Sequence, residues 1–102
     1  MKPTLDVIAL LLLALPVAAS AADAKAGQAL VDQQCTACHV RQVGGDGSGI
    51  YTRKDSIIHS PAELHQRIGM CSEQINGALT PAQEADIAAY LNQRFYKFKQ
   101  AP

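Results

Sequence analysis

The chain has 102 residues, nine basic and nine acidic side chains, a formal net charge of zero and three cysteines. That length allows one small domain. Balanced charge argues against the basic stripe of a nucleic-acid-binding protein, and no internal repeat, heptad pattern or low-complexity tract is present.

Residues 1–21 read as a cleaved secretory signal. Lys2, partly offset by Asp6, supplies a weak basic start, Val7 to Leu15 is an unbroken apolar run, and Pro16 ends it. Ala19-Ser20-Ala21 fits the small-x-small cleavage pattern, so the mature domain is expected over residues 22–102. The alternative is an uncleaved anchor. The run falls short of the roughly 18–20 residues that cross a bilayer, so no membrane span is expected in the mature chain.

Asp23 to Gln34 is predicted as the first helix, with Asp23 at its N-cap and Ala26, Leu30 and Val31 on one face. Gly27 lies within it, where glycine costs about 1 kcal/mol against alanine. It therefore marks either a frayed first turn or the close approach of another backbone.

Cys35-Thr36-Ala37-Cys38-His39 follows. Two thiols three positions apart sit on one side of a helical turn and can form thioethers with the two vinyl groups of one porphyrin. The next residue brings an imidazole to the iron, so the pattern reads as a covalent haem c site with His39 as the proximal ligand. A thioredoxin-like pair would need a strand running into it, and what precedes Cys35 is helical. A zinc site from Cys35, Cys38, His59 and His65 has a long gap and leaves His39 unused.

Val40 to Ser56 is expected to be loop, with Gly44-Gly45-Asp46-Gly47-Ser48-Gly49 favouring turns and positive φ. No strand precedes this run and no Lys-Ser/Thr follows it, so it is not a phosphate cradle. Tyr51 and Arg53 are carried toward the haem edge in this reading, Arg53 either near a propionate or solvated.

Ser60-Pro61-Ala62-Glu63 is a helix start with a capping box, and that helix is expected to run to Asn76-Gly77. Leu64, Ile68, Cys71 and Ile75 share its inner stripe, His65 lies on the flank and Met70 well off it. Thr80-Pro81-Ala82-Gln83 repeats the start signal. The last helix carries Glu84, Ala88, Leu91, Phe95 and Phe98 on one face, flanked by Ile87 and Tyr90. Arg94, Lys97 and Lys99 near its end complement the helix dipole.

These residues resemble the class I cytochrome c family. Gly27, Val31, Cys35, Cys38 and His39 are similar to its first helix leading into the haem motif. Leu79-Thr80-Pro81 with Glu84 resembles the entry to its C-terminal helix, and Ile87-Ala88-Ala89-Tyr90-Leu91 that helix's aromatic-Leu signature. A Tyr-Thr-Arg loop, a Cys in the penultimate helix and a Tyr-Leu-Asn…Phe-Tyr-Lys-Phe ending are similar to a narrower set of small exported cytochromes. The resemblance implies an all-α domain wrapped around one covalently bound haem c and attachment outside the cytoplasmic membrane, in the periplasm. It also implies a first-helix glycine crossing against the aromatic-Leu pair, and single-electron transfer between redox protein partners rather than enzymatic catalysis. Two departures stand out. No proline follows His39 before Pro61, so another carbonyl has to accept from the proximal imidazole N–H. Nor is a methionine cleanly placed before the last helix.

The sixth ligand therefore stays open among Met70, Cys71 and His65, with His59 a further imidazole and open iron the remaining case. Met70 reaches iron only if its helix breaks at Gly69-Met70; an unbroken helix points it away and leaves Cys71 on the inner stripe. Met/His ligation raises the potential and suits an electron carrier. A thiolate or open position suits a haem-bearing subunit of a redox enzyme, for example in sulfur-compound oxidation, or a haem sensor. No general acid/base constellation is evident, and nothing fixes the oligomeric state.

Overall fold

The computed structural model describes residues 21–75 and 79–99, and every regular element among them is helical. The expected signal of residues 1–21 lies, but for its last residue, outside the described residues, as do Asn76 and Gly77 at the expected end of the penultimate helix. No helix among the described residues is long and apolar enough to cross a membrane.

Helix α1 spans Ala24–Gln34, α2 Thr36–Val43, α3 Gly49–Thr52, α4 Pro61–Ser72 and α5 Pro81–Leu91, followed by a π turn at Asn92–Tyr96. Each long helix begins where its capping chemistry predicts. Asp23 Oδ1 accepts from the amides of Lys25 at 3.0 Å and Ala26 at 3.1 Å. Thr80 and Gln83 close a full capping box, side chain to backbone in both directions, at 3.1 and 2.9 Å. The box expected at Ser60 is half made. Ser60 Oγ accepts from the Glu63 amide, but the Glu63 carboxylate meets the Ser60 hydroxyl and not its backbone N–H.

The core is one cluster: Val31 from α1, Leu64 and Ile68 from α4, and Ile87, Ala88 and Leu91 from α5. Helix α5 is the hub, packing against both α1 and α4. Gly27 makes the first crossing possible. It is buried, and a Cβ there would overlap the Asp86 carbonyl oxygen and lie 2.5 Å from the carbonyl carbon. Another backbone does pass there. It is the Asp86–Ile87 peptide, about one turn before the Tyr90-Leu91 pair that the resemblance implies. The Asp23 amide also donates to Asp86 Oδ1 at 2.8 Å, fastening the start of α1 to α5.

Three expected boundaries move. Helix continues past the Cys-x-x-Cys-His motif to Val43, where a loop was expected from Val40. The joint between α1 and α2 is at Cys35, where the Val31 carbonyl accepts both the Cys35 amide at 2.9 Å and the Thr36 hydroxyl at 3.1 Å. Helix α4 stops at Ser72, short of Asn76-Gly77. Its end tightens into shorter-range bonds, with the Gln74 amide donating to the Cys71 carbonyl and the Ile75 amide to that of Ser72. Ser72 replaces Cys71 in the buried stripe and its hydroxyl accepts from the Leu79 amide at 3.0 Å.

Finally, α5 gives way at Leu91 to the π turn instead of running to Phe98. Asn92 ends it: its side chain accepts from the Phe98 amide at 2.7 Å and donates to the Phe98 carbonyl at 3.0 Å. Lys97 reverses the chain in the left-handed region at φ 61°.

Candidate functional site

The motif residues come together at the start of α2. Cys35 sits at the joint, Cys38 and His39 one turn on, and the His39 amide donates to the Cys35 carbonyl at 3.2 Å. All three line a cavity of about 730 Å³. Its apolar walls include Leu64 and Ile68 from α4 and Ile87 and Leu91 from α5, so the hub helix forms part of the wall. A volume of this size lies within the roughly 300–1,000 Å³ usual for cofactor sites.

All three cysteines are free thiols. Cys35 is half-buried, and burial first, then the neighbouring Cys71 and Cys38, pushes its thiol up. Cys38 is exposed, with the Gln42 amide 3.6 Å from its sulfur. Burial lowers the His39 imidazole, which favours its neutral, metal-binding form.

The partner of that imidazole is Tyr51. Its phenol oxygen lies 2.9 Å from His39 Nδ1, and the two rings meet edge-on with centroids 5.2 Å apart. Where the sequence reading asked for a carbonyl, the structure supplies a side-chain hydroxyl. The glycine-rich loop makes this possible. Asp46 Oδ1 accepts from both the amide and the hydroxyl of Ser48, and the Tyr51 amide donates to the Ser48 carbonyl at 2.9 Å. Gly47, at φ 85°, is buried against α2, where an added Cβ would stand 3.2 Å from the His39 Cβ. Nothing in the hydrophobic periodicity announces this pairing, because it joins two short elements through a turn. The local signals were the glycine run and the tyrosine just after it.

No family model, curated protein or solved structure matches the chain.

The remaining candidates divide cleanly. Helix α4 is unbroken through Gly69-Met70, so Met70 points away, is 51 % exposed and does not line the cavity. His65 and His59 are exposed and off the wall as well. Cys71 is solvent-exposed yet stands on the wall. Arg53 also lines the cavity, but its guanidinium is forked onto Asp55 at 2.8 and 3.0 Å. The zinc alternative finds no ligand set: among the described residues no group of three or more His, Cys, Asp or Glu is gathered to hold a metal ion. Nor does a strand precede Cys35, as a thioredoxin-like pair would need. What the wall offers is two thiols on one helical turn, an imidazole and a third thiol from α4, among apolar side chains.

Proposed function

We propose that this chain is an exported, monohaem c-type cytochrome of the class I kind its sequence resembles, carrying single electrons between redox protein partners in the periplasm. The observation that carries the reading is that Cys35, Cys38 and His39 line one apolar-walled cavity of about 730 Å³. The residues fit the group: thiols three positions apart match the two vinyl positions of one porphyrin, and the imidazole follows at the next residue. A haem c bound there supplies a one-electron iron couple.

The chain's own part is to tether, to ligate and to exclude water. Cys35 and Cys38 would tether the haem as thioethers and His39 would ligate its iron through Nε2, with Nδ1 facing Tyr51. Leu64, Ile68, Ile87 and Leu91 supply the low-polarity walls that tune such a centre.

The test is production in a host that exports and matures c-type cytochromes. The expected product keeps its colour and haem stain after denaturation, and the C35A/C38A double variant loses both. A colourless mature protein with both thiols open to alkylation overturns the reading.

One observation favours a second reading, a haem-bearing enzyme subunit or sensor: Cys71 is on the wall while Met70 and His65 are not. A thiolate there would lower the potential, whereas a thioether would raise it. Cys71→Ala is expected to alter the optical and paramagnetic spectra of the oxidised protein, and Met70→Ala to leave them unchanged. The opposite pattern returns Met70 to the iron. Rapid binding of carbon monoxide or cyanide by the parent protein would mean an open position and count against a closed electron carrier.

A further inference from the structure

We propose that Tyr51 is the positioning residue for His39, accepting the Nδ1 proton of the iron-bound imidazole through its phenol oxygen and so fixing the ring's tautomer and orientation. This rests on the haem reading above. A histidine bound to metal through Nε2 must carry its proton on Nδ1, and the group accepting that proton sets how firmly the ring is held and how much electron density it gives the metal. Here the acceptor stands 2.9 Å away, on a different element from the ligand, twelve residues along the chain.

The tyrosine is itself held from two sides. From below, its ring stacks on Phe95 with centroids 5.0 Å apart and planes at 26°. Tyr96 meets it edge-on at 6.5 Å. Both rings come from the π turn. Its extra residue lets two consecutive aromatics, Phe95 and Tyr96, reach one partner, which a continuous α-helix separates by about 100° around its axis. From above, the Asp46–Ser48 turn fixes the Tyr51 backbone, and Gly47 brings that turn down onto the His39 Cβ. The glycine loop, α3 and the C-terminal π turn thus converge on one hydrogen bond.

The experiment compares parent and Tyr51→Phe proteins, both purified as holoproteins. Phenylalanine keeps the ring and its stacking and removes only the oxygen. In the reduced, diamagnetic parent, nitrogen-15 NMR of labelled histidine is expected to show a protonated, slowly exchanging Nδ1 on His39. In Tyr51→Phe that proton is expected to exchange roughly two- to tenfold faster, the loss of one net hydrogen bond. The reduction potential is also expected to rise, because the imidazole donates less. Unchanged exchange and unchanged potential overturn the assignment. If Tyr51→Phe yields no folded holoprotein, Phe95→Leu removes the stacking beneath the tyrosine and leaves its hydroxyl; faster exchange there supports the assignment, and none overturns it. A colourless parent would instead defeat the haem reading itself, so the two failures are distinguishable.

Discussion

Gly27→Ala should destabilise the protein although it places a better helix former in a helix. Two terms oppose each other. Replacing a mid-helix glycine by alanine gains about 0.5–1 kcal/mol. Against it, the new methyl would overlap the Asp86 carbonyl oxygen and stand 2.5 Å from its carbon and 2.9 Å from the Ile87 nitrogen. Restoring ordinary contact, about 3.5 Å between carbons, requires α1 and α5 to part by about 1 Å. All three obstructing atoms are backbone in the hub helix, so no side chain can swing aside. Parting the helices also loosens Val31 against Ile87 and Ala88. Overpacking of this kind costs about 1–3 kcal/mol or more, and the backbone obstacle puts Gly27 at the upper end. The net loss is about 2 kcal/mol, equal to a fall in melting temperature of roughly 8–16 °C for a domain of this size. Gly69→Ala is the matched control. Its Cβ would meet only Glu84 Oε1, at 3.6 Å, so the helix term stands alone and the protein should gain up to about 1 kcal/mol. Thermal and denaturant unfolding followed by circular dichroism read both. Equal stability of Gly27→Ala and its parent, or shifts of the same sign at the two glycines, would refute the close-crossing argument.

Burial pushes the phenols of Tyr51 and Tyr96 up. The unfolded chain releases such protons near pH 10, so the stability they contribute is whole below about pH 10 and drains as the pH rises past it. Denaturant midpoints measured on either side of that pH should fall on the alkaline side, and fall less in Tyr51→Phe; a midpoint that rises there contradicts the burial of both rings. Ser72→Ala strips the Leu79 amide of its acceptor. Urea titration should register a loss of about 1–3 kcal/mol, and a neutral result would mean that the amide finds water. Asn92→Ala removes both bonds to the Phe98 backbone. It should cost about 1–2 kcal/mol and raise hydrogen exchange in the last turn, while amides of α1 stay protected.

Helix starts were readable because capping is local. Asp23, Ser60 and Thr80 each announce themselves within four residues, and the structure begins α1, α4 and α5 at those points. Gly27 was readable because a costly residue in a helix needs a reason, and the reason is the Asp86–Ile87 backbone. Helical phase was legible in part. An unbroken α4 had to turn Met70 outward, and it does, but the buried place given to Cys71 goes to Ser72. Helix ends were not legible, because tertiary bonds decide them. Asn92 reads as one more polar position until its side chain is seen gripping Phe98, and Ser72 as a surface serine until Leu79 donates to it. The Tyr51–His39 pair was hidden for the same reason. Two residues twelve apart, separated by a turn of glycines, share no period that a sequence pattern could expose.

The π turn ties the tail of the chain to the cavity wall. Phe98 stacks on Tyr96 at 5.5 Å, Tyr96 and Phe95 lean on Tyr51, and Tyr51 leans on His39. Three links in series, with Phe95 as a second support beneath Tyr51, make the last helix's end a handle on the imidazole. Whatever unpicks that handle, whether a protease trimming past Phe95 or a one-residue deletion that straightens the turn, takes the buttress from behind the ring.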